Sequence, residues 1–204
     1  MITIVDYGLG NIRAFANVYK NLDIPFVIAT NPISLRPASK IILPGVGAFD
    51  HAMNLLQQSG MREVLDEMVL GKKIPVLGIC VGMQILALSS EEGVLPGLGW
   101  INGKVKKFDT SGLKYKTILP HMGWNTIDPI CDNPLLIDLN IDSRFYFLHS
   151  YYFHCDKDEN SIAVTDYGGQ FTCVVNYENI YGVQCHPEKS HHNGIRLLRN
   201  FAKL

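Results

Sequence analysis

Short, continuously apolar runs alternate with helical patterns in the first half of the chain, and this alternation limits the possible folds more than any other feature. Apolar side chains recur at helical spacing over residues 12–19 and largely so over residues 49–70. The apolar runs with the length of buried strands span residues 2–5, 26–29, 41–43 and 75–79. Strands that are apolar on both faces are typical of a parallel sheet covered by helices. We therefore predict a mostly parallel central sheet with helices on both faces, a type of sheet that binds ligands at the carboxyl ends of its strands.

The second half of the chain has short strand-like segments in place of this alternation. They span residues 104–108, 116–119, 145–149, 162–166, 170–176 and 180–184. Residues 193–202 carry an apolar stripe at helical spacing, which predicts a closing helix. A chain of 204 residues with 47% hydrophobic side chains is long enough for one packed core. We expect an α/β fold with a strand-rich second half, and residues 1–204 forming one domain.

The charge and cysteine content disfavours several classes of protein. With 18 basic and 19 acidic side chains, the formal net charge is −1, so the totals give no indication of binding to nucleic acid or to an anionic membrane. The sequence shows no leader pattern and no apolar run of the ~18 residues that a membrane span needs, so we expect a cytoplasmic protein. The cysteines, at positions 80, 131, 155, 173 and 185, have no close-paired spacing. This argues against a disulfide framework and a zinc site, and we expect neither metal nor cofactor.

Cys80 lies where an apolar run meets a helical pattern, a position in which α/β enzymes hold a nucleophile. A sharp strand-to-helix turn needs small residues two positions away on either side, and Gly78 and Gly82 occupy those positions. The start of a helix stabilises a thiolate, and the amide of Val81 is free to bind an oxyanion. The alternative is a small buried hydrophobic residue in a glycine-rich turn, which is a common role of cysteine. The turn alone leaves both interpretations open.

His186 and Glu188 supply the other groups that a nucleophilic thiol needs. Pro187 fixes its own φ and favours extended backbone at His186, so we expect both side chains on one side of a strand-like segment. Glu188 would then hold one ring nitrogen while the other faces the thiol. The alternative is a histidine at a strand end that bonds only to backbone. His191 and His192 lie nearby, but no second cluster has zinc spacing, which disfavours a metal site.

A second glycine-rich loop follows the third predicted strand. Gly45 and Gly47 flank Val46 and allow its peptide to turn an amide toward a neighbouring strand end. We predict Val46 as the second oxyanion donor, with an ordinary strand-to-helix loop as the alternative. Gly8 and Gly10 suggest a dinucleotide-binding loop, but the third glycine of that fingerprint is absent, which argues against it.

These segments resemble the class I, or triad-type, glutamine amidotransferases. The resemblance to the class is carried by Gly-Ile-Cys-Val-Gly-Met-Gln at residues 78–84 and by His-Pro-Glu at residues 186–188. Within the class, the chain is similar from end to end to the glutaminase subunits of imidazole glycerol phosphate synthase. The segments that carry this closer resemblance are Asp-Tyr-Gly-Leu-Gly-Asn at 6–11, Pro-Gly-Val-Gly-Ala-Phe at 44–49, Pro-His-Met-Gly-Trp-Asn at 120–125 and His-Pro-Glu-Lys-Ser at 186–190.

The resemblance implies the class I amidotransferase fold and the hydrolysis of L-glutamine. Cys80 would form a γ-glutamyl thioester, His186 would transfer the thiol proton to the departing ammonia, and Glu188 would orient His186. The residues implied to bind the oxyanion are Val46, Gly47 and Val81. The residues implied to hold the substrate are Gly45, Gln84, Ser150 and Tyr151.

The resemblance also implies a partner. In this family the ammonia is used by a cyclase subunit, a (β/α)8 barrel that makes imidazole glycerol phosphate and aminoimidazole carboxamide ribonucleotide in histidine biosynthesis. The two subunits form a heterodimer. The residues implied to face the cyclase are His121, Met122, Trp124, Asn125, Tyr146 and Lys189. Without the family resemblance, residues 120–125 have two equally good interpretations. They form either a polar loop in an interface or a loop that places Trp124 in the core.

Three alternatives stay open at this point. A paralogous glutaminase would supply ammonia to a sugar amidotransferase of surface-polysaccharide synthesis. A stand-alone Cys-His-Glu hydrolase would need no partner, although Gln84 and residues 120–125 argue against it. A pseudoenzyme that only scaffolds its partner is disfavoured by the intact Cys80, His186 and Glu188.

Overall fold

The computed structural model describes residues 1–109 and 119–204. The strand predicted over residues 116–119 lies outside the described residues except for Leu119, which is part of a bend. The remaining predicted strands and helices fall within the described part of the chain.

The first half forms strands and helices in alternation, as predicted. Its strands are β1 (Ile2–Val5), β2 (Phe26–Ala29), β3 (Lys40–Gly45) and β4 (Val76–Cys80). Its helices are α1 (Ile12–Asn21), α2 (Pro32–Leu35), α3 (Phe49–Gln58), α4 (Arg62–Asp66) and α5 (Val81–Gln84). The region over residues 49–70 is largely helical, as predicted, but it is divided into two helices. Helix α3 ends before Gly60, whose φ of 70° stops the helix, and α4 continues into a π-helical turn over Glu67–Gly71.

The second half is strand-rich, which confirms the predicted change along the chain. Its strands are β5 (Ser89–Ser90), β6 (Gly103–Lys107), β7 (His121–Thr126), β8 (Asp128–Pro129), β9 (Arg144–His149), β10 (Tyr151–Cys155), β11 (Ser161–Asp166), β12 (Gln170–Tyr177) and β13 (Ile180–Val183). The closing helix is α6 (His191–Lys203), slightly longer than predicted. The sequence analysis missed β5, β7, β8 and β10, and it treated the residues of β7 as a loop.

One large sheet has the strand order β2-β1-β3-β4-β13-β12-β11-β8 in the described part of the chain. The strands from β2 to β13 run parallel, and β12, β11 and β8 extend the sheet in antiparallel pairs. All residues of β1, β4 and β13 are buried, so both faces of the central strands are covered. The prediction of a mostly parallel α/β fold is confirmed.

A two-stranded ribbon lies close to the carboxyl end of β4. Strands β7 and β9 pair antiparallel, from His121 opposite His149 to Thr126 opposite Arg144. Strand β10 follows β9 after one residue and belongs to a second small sheet of order β10-β6-β5. The junction of β9 and β10 therefore brings His149, Ser150 and Tyr151 to one place, which is beside Cys80.

Candidate active site

Cys80 is the last residue of β4 and forms the turn into α5. Its φ of 55° and ψ of −113° are backbone angles that residues with a side chain rarely adopt. A Cβ on Gly78 would lie 2.5 Å from the carbonyl oxygen of Gly82, and a Cβ on Gly82 would overlap the carbonyl oxygen of Leu43 on β3. Close packing therefore requires both glycines, as the sequence predicted.

The strand order brings other predicted residues to the same edge of the sheet. Strands β3 and β13 flank β4, and Gly45 at the end of β3 is directly opposite Cys80 in the parallel register. His186 follows β13 on the other side. A cleft of about 350 Å³ opens here. The residues lining it are Val46, Gly47, Cys80, Val81, Gln84, Glu92, Pro120, Leu148, His149, Ser150, Tyr151, His186 and Lys189.

His186 and Glu188 form a buried pair beside this cleft. The Nδ1 atom of His186 lies 3.0 Å from Oε1 of Glu188, and the second carboxylate oxygen accepts no hydrogen bond from the described residues. The predicted strand-like segment is not formed: His186 has a φ of −104° and a ψ of 89°, but Pro187–Lys189 is a 3₁₀ turn, because Pro187 also suits the first position of a helical turn. The backbone N–H of His186 donates to the carbonyl of Tyr146 at 2.8 Å. The side-chain pair that the sequence predicted is nevertheless formed.

The charge state of His186 favours a reactive thiol. Burial lowers the pKa of this imidazole, but hydrogen bonds to Cys80 and Glu188 and the charges of both groups outweigh burial and raise the pKa to about 10. A protonated imidazole stabilises negative charge on the neighbouring sulfur. Helix α5 has only four residues, so its dipole offers only one turn of support. His186 is therefore the stronger source of positive charge at Cys80.

The loop after β3 and the junction of β9 and β10 both line the cleft. Val46 and Gly47 line the cleft together with Val81, the residue after Cys80. Gly47 has a φ of 85°, which glycine adopts without strain. The hydroxyl of Tyr7 donates to the carbonyl oxygen of Pro44 at 2.8 Å and so fixes the start of this loop. The structure thus brings the residues predicted to bind an oxyanion to the same cleft as the thiol.

Gln84, Ser150 and Tyr151 also line the cleft. Nε2 of Gln84 donates to the carbonyl oxygen of Tyr151 at 3.0 Å and to Oε1 of Gln184 at 3.1 Å. Gly45 does not line the cleft itself but lies opposite Cys80 and is buried, and a Cβ there would overlap the backbone nitrogen of Gly82. The structure brings all residues predicted to hold a substrate to this one region.

Comparison with known proteins identifies the family. The sequence profile described as "Glutamine amidotransferase class-I" matches residues 3–204. The chain is a class I glutamine amidotransferase. It is 57% identical over 204 residues to the "Imidazole glycerol phosphate synthase subunit HisH" of Leptospira interrogans, and 57% identical over 205 residues to the protein of the same name from Bdellovibrio bacteriovorus. Each alignment covers 100% of both chains, so this amidotransferase belongs with the HisH subunits.

A solved structure described as a glutamine amidotransferase supports the same fold assignment. It superposes with a TM-score of 0.74 at 18% sequence identity, covering 100% of this amidotransferase and 99% of that chain. At this identity the likeness concerns the fold. It confirms the predicted class I amidotransferase fold.

Glu92 is a candidate site residue of the amidotransferase that the sequence analysis missed. It lines the cleft, and its Oε2 accepts a hydrogen bond from the backbone nitrogen of Phe49 at 2.9 Å. A carboxylate in this place suits the ammonium group of an amino acid. Its sequence context, an acidic pair after two serines, gave no signal, because such a pair is more often solvated surface.

The residues predicted to face a partner differ in exposure. Met122 and Trp124 are exposed by 64% and 41%, and Lys189 is also exposed, with its Nζ 5.6 Å from the ring centre of Tyr146. His121 is buried instead, and Asn125 is half-buried. Two of the apolar side chains on β7 are therefore open to a partner, whereas His121 faces the interior of the amidotransferase.

Two further findings concern the described part of the amidotransferase. No group of three histidine, cysteine, aspartate or glutamate side chains there could hold a metal ion. None of the helices within residues 1–109 and 119–204 is both long and apolar enough to cross a membrane.

Proposed function

We propose that the chain hydrolyses L-glutamine to glutamate and ammonia through a thioester on Cys80. The observation that carries this proposal is the cleft in which the strained Cys80 meets His186, which is paired with the buried Glu188. The Sγ atom attacks the side-chain carboxamide carbon of glutamine, and the C–N bond breaks as His186 gives its proton to the departing ammonia. Water then attacks the thioester and releases glutamate, with His186 accepting the proton of that water.

The remaining residues of the cleft have separate roles in this proposal. The amides of Val81 and of the loop at Val46 and Gly47 bind the oxyanion of each tetrahedral intermediate. Glu92 pairs with the α-ammonium group of glutamine, because it is the acidic side chain among the described residues that line the cleft. The residues that hold the rest of the substrate are Gly45, Gln84, Ser150 and Tyr151.

We further propose that residues 1–204 act as one glutaminase domain in the cytoplasm, in a heterodimer with a cyclase of the (β/α)8-barrel type. The ammonia would be channelled to the cyclase, which makes imidazole glycerol phosphate and aminoimidazole carboxamide ribonucleotide in histidine biosynthesis. The full-length identity of 57% to named HisH subunits supports this pathway. Shielding of the ammonia from water during transfer favours a tight interface, because protonated ammonia is not a nucleophile.

The surface of β7 and its neighbours is the proposed docking face. Met122 and Trp124 are large exposed side chains, and Leu148, opposite Met122 on β9, is 38% exposed and also lines the cleft. Aromatic and methionine side chains of this kind concentrate binding energy in protein interfaces. Tyr146 and Lys189 lie at the edge of this face. A partner seated there would cover the mouth of the cleft.

The test of this function is the variant Cys80→Ala in complex with the cyclase. We expect no glutamine hydrolysis, because the nucleophile is absent, while cyclase binding and synthesis from added ammonia persist. Cys131→Ala is the matched control, since Cys131 is an exposed cysteine outside the cleft, and it should retain full activity. Retained glutaminase activity in Cys80→Ala would refute the mechanism.

The acceptor of the ammonia is tested separately. Expression of the gene should rescue a histidine auxotroph that lacks its own glutaminase subunit. Failure to rescue, together with activity toward a surface-polysaccharide sugar, would favour the paralogous amidotransferase. Full glutamine turnover by the isolated chain, unchanged by a cyclase, would favour a stand-alone hydrolase.

A further inference from the structure

Gln184 has a fully buried side-chain amide that contacts the proposed nucleophile. Its Nε2 donates to Sγ of Cys80 at 3.7 Å, and its Oε1 accepts the hydrogen bond from Nε2 of Gln84 at 3.1 Å. A buried amide is costly unless its polar atoms are bonded. Here both of its bonds lie at the active site, so the position of this amide is tied to the position of the sulfur.

The carbonyl oxygen of Tyr151 determines which way both amides point. A carbonyl oxygen can only accept, so the atom of Gln84 that lies 3.0 Å from it must be the donor Nε2. The second hydrogen of this NH2 group goes to Oε1 of Gln184, which leaves Nε2 of Gln184 for the sulfur. One backbone carbonyl therefore ensures that an N–H group faces Cys80.

Two buried histidines are connected to the same carbonyl oxygen by hydrogen bonds. Nδ1 of His149 lies 2.7 Å from the oxygen of Tyr151 and must carry a hydrogen, so its Nε2 accepts from Nδ1 of His121 at 3.0 Å. Nε2 of His121 in turn accepts from Nδ2 of Asn125 at 3.3 Å. Burial lowers the pKa of His149 to about 3 and that of His121 to about 4, so both rings are neutral at pH 7. A neutral imidazole has the one donor and one acceptor that this arrangement needs.

These bonds connect β7, the strand of the proposed docking face, with the nucleophile at the end of β4. We call them the amide–histidine chain; its members in order are Asn125, His121, His149, the Tyr151 carbonyl, Gln84 and Gln184. We propose that the amide–histidine chain positions Sγ of Cys80 for attack, with Gln184 as the positioning residue that acts on the sulfur. This inference rests on the proposed hydrolysis of glutamine by Cys80.

Gln184 favours the reactive form of the sulfur. As a thiol, Cys80 can donate its S–H to the carbonyl oxygen of Leu148, 3.9 Å away. Once His186 has taken the proton, the sulfur can only accept, and the N–H of Gln184 is a donor already in place. A hydrogen bond to a charged acceptor is stronger than one to a neutral acceptor. Loss of this N–H should therefore slow attack on glutamine more than it weakens glutamine binding.

The variant Gln184→Met tests the last link of the chain. Methionine has a similar length and no charge, but it offers no N–H to Cys80. In the complex with the cyclase, we expect kcat for glutamine hydrolysis to fall by about tenfold or more, with KM changed by less than about twofold. Gln184→Leu also removes the donor without adding charge and should lower kcat by a similar factor. In the isolated chain, both variants should also slow the alkylation of Cys80 by iodoacetamide.

Two other cysteines serve as internal controls in the alkylation experiment. Cys131 is exposed and should react at the same rate in every variant, whereas the fully buried Cys173 should stay protected as long as the variant is folded. Peptide mass mapping measures all these thiols in one sample. A folded Gln184→Met variant with wild-type kcat and wild-type alkylation of Cys80 would overturn the proposal.

The far end of the chain is tested by His121→Phe. Phenylalanine can keep the stacking against Phe147, where the ring centres are 4.9 Å apart, but it removes the N–H that His149 accepts. His121 does not line the cleft, so a slower alkylation of Cys80 in the isolated chain reports on the hydrogen bonds and not on docking. We expect alkylation and kcat to fall by roughly threefold to tenfold.

The double variant His121→Phe/Gln184→Met separates a connected chain from two local effects. Because the members act as one unit, the double variant should be no slower than Gln184→Met alone. If the two substitutions instead lower the rates by the product of their separate factors, the amide–histidine chain is refuted. Wild-type rates in His121→Phe would also refute it. If the Gln184 variants do not fold, the His121→Phe result alone tests the proposal. Failure of the proposed function gives a different result from failure of the amide–histidine chain, because only the former leaves glutamine hydrolysis in Cys80→Ala.

Discussion

At the scale of single residues, Glu92 is the side chain most directly suited to select an amino-acid substrate. Its Oε2 is held by the backbone nitrogen of Phe49, and an amide oxygen at the same place would keep that bond. Glu92→Gln therefore removes the charge and leaves the contact. We expect KM for glutamine to rise about tenfold to a hundredfold, in line with the ~1.5–3 kcal/mol of a charged hydrogen bond, while kcat changes little.

Glu91→Gln is the matched control for this prediction. Glu91 is exposed and accepts a hydrogen bond from the backbone nitrogen of Lys107. Steady-state kinetics of the two variants should differ, with KM unchanged in Glu91→Gln. Equal KM values in both would show that the charge of Glu92 does not contact the substrate.

Glu188 is expected to set the pH range in which His186 keeps its proton. Glutamine at this position has the same size but no charge, so in Glu188→Gln the pKa of His186 falls below its wild-type value of about 10. His186 then loses its proton at lower pH, and the alkaline limb of the kcat profile moves to lower pH. We also expect kcat at pH 7 to fall by roughly 10²- to 10⁴-fold. A profile with an unmoved alkaline limb would mean that Glu188 has only a structural role.

At the scale of secondary-structure elements, the close contact between α5 and β3 holds the nucleophile in place. A Cβ on Gly82 would overlap the carbonyl oxygen of Leu43, and backbone cannot move aside cheaply in the centre of a sheet. Gly82→Ala should therefore lower the free energy of unfolding by about 1–3 kcal/mol. Glutamine hydrolysis should fall as well, because Cys80 and Val81 belong to the displaced turn. Urea unfolding and steady-state kinetics measure the two effects.

Gly71→Ala controls for the loss of a glycine as such. Gly71 is exposed, has no atom within 4 Å of an added Cβ and does not adopt a positive φ. This variant should keep full activity and unfold at the same urea concentration or slightly above it. If both variants lose stability equally, steric overlap at Gly82 is not the cause.

The elements also show which parts of the fold the sequence could predict. Strands such as β1 and β4 were predicted because both of their faces are apolar and buried. Strand β7 was missed because its pattern is inverted: His121 points inward, whereas Met122 and Trp124 are exposed. A strand with polar residues inside and apolar residues outside resembles a loop unless its hydrogen-bond partners are known.

At the scale of the whole molecule, the site depends on strand order, which no local pattern contains. Cys80 and His186 are far apart in the chain and meet because β13 pairs directly with β4. Sequence motifs identified both residues. Only the fold shows that Gln184, which lies between β13 and His186, also donates a hydrogen bond to the sulfur. Leu148 adds a further link, since its carbonyl faces Cys80 while its side chain belongs to the docking face. The nucleophile and the proposed partner surface are thus built on shared strands.

Trp124 provides the test of that docking face. Its ring stacks on His191 with the ring centres 5.1 Å apart, and the residue is 41% exposed. The stacking fixes the orientation of an aromatic side chain that a partner can contact. Trp124→Ala should weaken cyclase binding by about 2 kcal/mol or more, roughly 30-fold, measured by titration calorimetry. Ile33→Ala is the control, because Ile33 is 82% exposed on α2, which contacts the edge strand β2 of the large sheet, whereas β7 belongs to the separate ribbon with β9. Equal affinity of the two variants would place the cyclase elsewhere. A loss confined to Trp124→Ala would assign the exposed side of β7 to the partner, while its buried side carries the hydrogen bonds that lead to Cys80.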